Sequence, residues 1–456
     1  MSDQSNTYSS TATGNRSILP DDMISVQEAR RLILEKFSPL DSVSIPITEA
    51  LNQVTTEDVV AQFDIPPYSN TGMDGYAVIA KDTKNASYSD PKKLSVTGYL
   101  PAGKIFNDTV MPGQAVRIMT GAPIPNGADA IVPFEETDEY LEKDSTKKTE
   151  KTEVLINVEA ITGANIRPAG EDITKGTVVF NKGTILGPAQ IAVLASLGLN
   201  NINVHRRPIV AVLSTGDELL YPGESYADGK IYDSNSSGLA AQIINFGGVP
   251  KILNIARDNV KSLTHLIREG VESADFLITS AGVSRGDFDL VKAVLAKEGH
   301  IGFWTVKMKP GKPLAFGTFT KESGAQVPHL GLPGNPVSAM LTFELFGRPA
   351  IFKMLGKINA WPRPLVNAIS KDRIVNTDGR RFYARVVIEE ENEIPKVILT
   401  GKQSSGILTS MSKATAFAIC PSDTSGIEAG QMCEVILIDR ENNYYGESTL
   451  TEKKGY

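Results

Sequence analysis

A chain of 456 residues with 41% apolar and 22% charged residues is too long for one ordinary core and has the texture of a soluble globular protein, one of roughly two to four domains. Its net charge of −7 argues against a general nucleic-acid binder, while leaving room for a local basic pocket. Two cysteines (Cys420, Cys433) and four scattered histidines fit neither a zinc motif nor a disulfide framework, no apolar run is long enough to cross a bilayer, and a reducing cytoplasm is expected.

Residues 1–22 are polar and rich in Ser, Thr and Asn, and are expected to be a disordered tail without a secretory signal. Ser25 can cap a helix in which Val26, Ala29, Leu32 and Ile33 recur at helical spacing, with Glu28 as capping-box partner. From residue 46 to 159 short β-rich runs alternate with Gly and Pro turns: VTTEDVVAQFDI, YAVIA, KLSVTGYLPAG, AVRIMTG, DAIVPFEET and EVLIN. Residues 138–153 hold ten charges of both signs and read as a solvated hairpin tip. Residues 160–187 resemble nothing in that β segment. They are expected to return and pack with the N-terminal helix (residues 23–45), which makes 46–159 an insertion.

From 188 to 356 the pattern is α/β. The runs PIVAVLST, VPKILNIARD and ADFLITSAG read as buried strands, and SSGLAAQIINFGG, NVKSLTHLIREGVESA and FDLVKAVLAKEG as the helices between them. This alternation predicts a parallel sheet covered by helices on both faces. From 357 to 440 RFYARVVI, VILTG, AFAICP and CEVILID predict a small closed β domain, and 441–456 a loose tail.

In open parallel sheets ligands bind at the carboxyl ends of the strands, so the loops there carry the functional candidates. STGDEL offers Ser214, Gly216, Asp217 and Glu218; ARD ends at Asp258; TSAGVSRGDFD offers the amides of Gly282 and Gly286 and the carboxylates Asp287 and Asp289 at a helix start. KMKPGKP brings Lys307, Lys309 and Lys312 around a Pro-Gly turn, and GLPGNPVSA runs through Pro333, Gly334, Asn335 and Pro336 into a helix with Ser338. Taken singly, each is an ordinary turn or a helix cap. Together, lysines and amide nests suit phosphates, and carboxylates beside phosphates suit Mg²⁺, so the set points to a metal-assisted reaction on a phosphorylated ligand. No Walker or GxGxxG fingerprint is present. The β segment adds NTGMDGYAV around Asp74, RIMTGAPIP around Thr120, and IRPAGEDI with Arg167, Glu171 and Asp172, which physics alone does not separate from Gly-rich hairpins.

The ordered set PPYSNTGMDGYA, RIMTGAPIPNGADAIV, IRPAGEDI, STGDEL, IYDSNS, SAGVSRGDFD, MKPGKP and GLPGNPVSA closely resembles the MoeA family, which includes the gephyrin E domain, from about Ile24 to Asp439. The resemblance implies molybdopterin molybdenumtransfer: molybdate is inserted into adenylated molybdopterin and AMP is released, with Mg²⁺ as cofactor. It also implies four subdomains, namely an elongated linker subdomain (23–45 plus 160–187), the β insertion (46–159), a central MogA-like molybdopterin-binding domain (188–356) and a C-terminal small β-barrel (357–440). The implied assembly is a homodimer with a shared active site, to which the adenylyltransferase supplying the substrate is a further partner, without nucleic acid or membrane.

By position in the motifs, Asp74, Thr120, Asp172, Glu218, Asp258 and Asp289 are the implied catalytic residues, with Glu218 and Asp289 on the metal. Ser214, Gly216, Asp217, Gly282, Ser284, Gly286, Lys309, Lys312, Pro333, Gly334, Asn335, Pro336 and Ser338 are the implied substrate contacts. Lys307, Lys309, Arg380, Arg381 and, through GKQSSGIL, Ser405 are the implied molybdate contacts. Where some relatives carry a lysine after Phe-Trp this chain has Thr305, for which Lys307 is the substitute at hand. Two alternatives stay open: a molybdopterin adenylyltransferase on the same sheet domain, and a gephyrin-like scaffold.

Overall fold

A computed structural model describes residues 23–141, 151–281, 289–357, 363–391, 394–422 and 424–438. The chain divides into two units: a β unit of Ser44–Leu51 with Thr55–Asn203, and a sheet unit of the segment up to Val43, Asn52–Val54 and everything from Val204.

The N-terminal helix α1 (Val26–Leu34) belongs to the sheet unit. Its Val26, Ala29 and Ile33 face inward and join the core around Phe276 and Leu330. Ser25 Oγ accepts from the Glu28 amide at 3.1 Å, so the cap forms as expected, but the box does not close. The Glu28 carboxylate instead takes Arg31 at 3.0 and 2.8 Å, because a guanidinium one turn on gives two charge-assisted bonds. Residues 160–187 fall in the β unit, and this helix falls in the sheet unit.

The β unit is built on β1 (Gly75–Val78), β2 (Lys92–Leu100), β3 (Gln114–Ile118), β4 (Ala130–Pro133) and β5 (Glu153–Ile156), in the order β4-β1-β3-β2-β5. Only β2 and β3 run parallel. Alternate residues feed two cores: Tyr76, Val78 and Ala115 one, Ala77, Val116 and Ile118 the other. The run VTTEDVVAQFDI supplies only the short strand Val59–Val60, laddered on Val178–Phe180. Ile166–Arg167 ladders on Asn70–Thr71, which sets IRPAGEDI beside the MDGYA turn. Helix α2 (Pro188–Ser196), grouped by sequence with the sheet, falls in this unit.

The charge-rich stretch 138–153 is not simply a solvated tip. Glu139 is 0% exposed and receives Arg117 at 2.7 and 2.8 Å and the Tyr76 hydroxyl at 2.7 Å. Arg117 Nη1 also donates to the carbonyls of Gly75 and Ile118, at 3.2 and 3.0 Å. A carboxylate with three charge-assisted or hydroxyl donors can be taken out of water. Residues 142–150 lie outside the described residues.

The sheet unit carries β6 (Ile209–Ser214), β7 (Val249–Ile252), β8 (Phe276–Ser280), β9 (His300–Thr305), β10 (Pro313–Thr320) and β11 (Gln326–Leu332), in the order β7-β6-β8-β11-β10-β9. The first four are parallel, but β10 runs antiparallel to β11, and β9 to β10, so the sheet is mixed. The short connections between Thr305 and Pro313 and between Thr320 and Gln326 leave no room for crossover helices, which a parallel pair requires. Helices α3 (Ser234–Asn245), α4 (Val260–Ser273) and α5 (Asp289–Glu298) form the crossovers, and the two cores on either side of the sheet include Leu239 and Ile243, or Leu263 and Ile267.

At the carboxyl edge Ser214, Ser280 and Leu332 stand in register across β6, β8 and β11. Because β10 and β9 are antiparallel, Pro313 and Thr305 come to that same edge. From Leu365 the chain forms β12 (Leu365–Ser370), β13 (Arg381–Glu391), β14 (Ile394–Leu399), β15 (Ala416–Cys420) and β16 (Met432–Leu437). Pairings run β13-β14-β12-β16-β15 and close from β15 onto β13, a five-stranded barrel. Met308–Lys309 lies parallel to the start of β13, so the lysine loop of the sheet is stitched to the barrel.

Candidate active site

A cavity of about 960 Å³ opens at the carboxyl edge of the sheet. Eleven of the residues singled out from sequence line it: Ser214, Glu218, Lys309, Lys312, Pro333, Gly334, Asn335, Pro336, Ser338, Arg380 and Ser405. The loops that end in-register strands therefore converge as expected, and the barrel loop 403–406 closes the side beyond the lysines.

The wall after β6 is set by one loop. Gly216 sits at φ 144°, and a Cβ there would lie 2.3 Å from Glu218 Oε2. The Glu218 carboxylate thus folds over the glycine, and no other residue fits without moving it. Asp217 and Asp258 point their carboxylates at each other's amides, at 3.4 and 3.3 Å, outside the cavity lining. Arg257 Nη1 donates to the carbonyls of Gly216, Asp217 and Leu219 at 3.2–3.4 Å, and Lys230 Nζ to that of Asp217 at 2.6 Å. Gly282, Ser284 and Gly286 lie outside the described residues, and Asp289 opens α5.

The opposite wall is cationic. Lys309 Nζ lies 3.5 Å from Asp378, which also takes Arg380 Nη2 at 2.5 Å. The side-chain hydrogen bond from Arg380 holds the Asp378 carboxyl down at about 2. Arg380 Nη1 donates to the Met308 carbonyl at 3.1 Å, which fixes the guanidinium to the lysine loop. Gly311 at φ 100° turns that loop, and a Cβ there would meet Thr342 Oγ1 at 2.5 Å. One carboxylate against Lys309, Lys312 and Arg380 leaves an excess of positive charge facing the cavity. Lys307, Arg381 and Thr305 are not among the residues that line the cavity.

Three contributors escaped the sequence reading. Asn235 Nδ2 donates to Gly334 O and Ser280 Oγ, both at 2.7 Å. Since a carbonyl only accepts, the amide orientation is fixed, and its Oδ1 is left without a donor in the cavity wall. Gln403 locks the barrel loop by accepting from the Arg385 amide at 2.8 Å and donating back to the Arg385 carbonyl at 3.1 Å. Arg385 is 0% exposed and donates to the carbonyls of Lys402 and Ser404 and to Ser410 Oγ, and burial pulls its guanidinium down to about 10. It lies directly beneath the loop that presents Ser405, whereas Arg380 and Arg381 drew attention only as an adjacent pair. Asn235 belongs to the IYDSNS motif, which is its signal in the sequence.

In the β unit Asp74 Oδ1 accepts both the Thr120 amide and its hydroxyl at 2.7 Å. The backbone bond from Thr120 is the main cause of a carboxyl held below its usual range. Thr71, laddered to Ile166, closes the turn by accepting the Met73 amide at 3.0 Å. Arg167 lies over Gly72, its Nε 3.3 Å from where a Cβ would be. Asp172 is exposed, its amide bonded to Ile65 O at 3.0 Å. So Asp74 and Thr120 form one hydrogen-bonded pair, with exposed Arg167 over the neighbouring Gly72 and exposed Asp172 on the IRPAGEDI segment.

A mixed sheet with a cavity at its strand tips that is cationic on one wall, continued by a closed five-stranded barrel and accompanied by a second, β-rich unit, defines a multidomain α/β protein with a strand-tip binding cavity. The chain matches the MoeA N-terminal region (domain I and II) over residues 24–198, the "Probable molybdopterin binding domain" over 211–353, and the MoeA C-terminal region (domain IV) over 367–438. It is 36% identical to "Molybdopterin molybdenumtransferase 2" of Mycobacterium tuberculosis over 91% of this chain and 99% of that one. It is 34% identical to the "Molybdopterin molybdenumtransferase" of Bacillus subtilis, covering 92% and 95%. A solved MoeA protein of Pyrococcus horikoshii superposes with a TM-score of 0.75 at 31% identity, covering 92% of this chain and all of that one. The chain belongs to the MoeA family. No helix among the described residues is long and apolar enough to cross a membrane.

Proposed function

We propose that this chain is a molybdopterin molybdenumtransferase, which inserts molybdate into adenylated molybdopterin and releases AMP. The observation that carries the reading is the cavity itself: Lys309, Lys312 and Arg380 on one side and Glu218 on the other, at the strand tips of the molybdopterin-binding domain. A dianionic tetrahedral oxyanion is complementary to two lysines, an arginine and the Ser405 hydroxyl, while the carboxylate side repels it.

In this account Lys309 and Lys312 hold phosphate oxygens and offset charge as the phosphoanhydride bond breaks, and this electrostatic contribution is the largest. Ser214 and Ser338 orient the ligand from the sheet edge and from the helix following Pro336. Glu218 holds the attacking water and accepts its proton, and the departing group is AMP. Glu218, a hard oxygen donor in the cavity lining, would hold Mg²⁺ together with Asp289 at the start of α5, and the ion would supply charge neutralisation at the substrate phosphates.

The reading extends to a cytoplasmic homodimer in which Asp74, Thr120 and Asp172 of one subunit complete the site of the other, with the four-subdomain division 23–45 plus 160–187, 46–159, 188–356 and 357–440. Support comes from the Asp74–Thr120 pair at the surface of the β unit, where the Thr120 amide and hydroxyl hold the half-buried carboxylate ionised. The test is an assay of molybdate-dependent AMP release from adenylated molybdopterin by the wild type and Glu218→Ala. Release by the wild type and its loss in a folded Glu218→Ala are expected. Transfer of AMP onto molybdopterin without insertion would make the chain an adenylyltransferase instead.

A further inference from the structure

The cationic wall carries a carboxylate of its own. Asp378 stands in the turn that leads into β13, followed by Gly379 at φ 68°. Its Oδ1 accepts the Arg380 amide at 3.2 Å, and its Oδ2 takes Arg380 Nη2 at 2.5 Å and faces Lys309 Nζ at 3.5 Å. Asn376 Nδ2 holds the Arg380 carbonyl at 2.8 Å, and the Arg381 amide donates to the Lys307 carbonyl at 3.3 Å, so turn and lysine loop are fixed against each other. Lys309 Nζ also lies 5.5 Å from the centre of the buried Phe382 ring. Lys309 and Arg380 line the cavity, while Asp378 backs them from outside the lining.

The two cation contacts of Asp378 differ in kind. The Arg380 bond is short, charge-assisted and reinforced by the backbone amide, whereas the Lys309 pair is long and leaves both side chains 32% exposed. An ion pair so exposed is weak and readily exchanged, and an ammonium on a flexible stem changes partner more easily than a guanidinium held in a fork. Three cations around one cavity repel one another, and a carboxylate beside two of them offsets that repulsion when no anion is bound. Resting on the function proposed above, the entering anion is a tetrahedral dianion. We infer that Asp378 is the internal counter-ion of the oxyanion wall: it holds Lys309 in the empty cavity, yields it to the incoming oxyanion, and keeps Arg380 in place throughout. Its charge stays beside the bound anion and repels it. Asp378 therefore limits anion affinity, and limits it more for a dianion than for a monoanion, because the repulsion scales with ligand charge. It is a positioning and specificity-determining residue, acting through Lys309 and Arg380.

Equilibrium binding of molybdate, sulfate and perrhenate to the full chain tests this in the wild type, Asp378→Asn and Asp378→Glu. Asparagine keeps an oxygen for the Arg380 amide and guanidinium and removes only the charge. Asp378→Asn is expected to bind the dianions molybdate and sulfate about fivefold tighter and the monoanion perrhenate about twofold tighter, since the logarithm of the change follows ligand charge. Asp378→Glu, which keeps the charge, is expected to stay closer to the wild type for all three. A carboxylate that only orients Arg380 would give no tightening and no dependence on ligand charge. Dianion affinity unchanged or weakened in a folded Asp378→Asn, or an equal change for perrhenate, overturns the inference. If the wild type inserts molybdate while Asp378→Asn gains no dianion affinity, the counter-ion fails alone. If Asp378→Asn gains sulfate over perrhenate in a chain that never inserts molybdate, the counter-ion stands and the proposed function fails.

Discussion

Gly216 and Glu218 act as a single device. The glycine's φ of 144° and the carboxylate stacked on its Cα leave no room for a methyl group. Gly216→Ala is therefore expected to strain the loop on the order of 1–3 kcal/mol and to push the carboxylate out of the cavity. Activity should fall far more than the melting temperature does, and parallel calorimetry and AMP-release assays would show it. Equal losses in both would mean that the loop matters only for stability.

Asp378 makes a pH prediction with a definite sign. Its carboxyl lies at about 2 in the folded chain against 3.8 for the free group, chiefly because Arg380 donates to it. A depressed carboxyl stabilises the fold at pH above its unfolded value, and that contribution is lost as pH falls through the folded value. The stability gap between wild type and Asp378→Asn should be constant above about pH 5 and should shrink between about pH 4 and pH 2. Urea unfolding across that range is the measurement. A gap that widens on acidification would show that the pair with Arg380 is not what holds the proton off.

At the scale of elements, the β unit depends on a charge cluster inside its sheet. Arg117 on β3 and Glu139 meet beneath Tyr76 of β1, the residue two after Asp74. Glu139→Ala leaves a buried guanidinium unpaired and is expected to destabilise by about 3–5 kcal/mol. Tyr76→Phe, which removes one hydroxyl from the same carboxylate, should cost about 1 kcal/mol. Thermal unfolding of both variants checks the ranking, and a near-neutral Glu139→Ala would mean that the cluster is more hydrated than its burial implies.

This element also shows what the sequence conceals. Glu139 stands among ten charges in sixteen residues, a local texture that reads as solvent, and only its pairing with a distant strand reveals it as core. Arg385 was obscure for the same reason. Its partners at 402, 404 and 410 become neighbours only when β13 closes the barrel. The strand-tip loops, by contrast, were legible, since each is an apolar run ending at glycine or proline, and strand ends collect at one edge whatever the details. The antiparallel β10 and β9 were not, because buried strands look alike in either direction and only the short connections betray them.

At the scale of the molecule, the β unit and the sheet unit each hold half of the candidate chemistry, Asp74 with Thr120 in one and Glu218 with Lys309 in the other. Subunits carrying Asp74→Ala and subunits carrying Glu218→Ala should each be inactive alone. Mixed together, they should regain activity through heterodimers that hold one intact site, approaching a quarter of the wild-type rate on random pairing. No recovery in a verified mixture would argue against a site shared between subunits.

The most direct test is to locate the oxyanion. Crystals of the full chain grown with molybdate, measured at the molybdenum absorption edge, should show an anomalous peak in the sheet-edge cavity among Lys309, Lys312, Arg380 and Ser405. A peak elsewhere, or an empty cavity in a preparation that inserts molybdate in solution, would contradict the account.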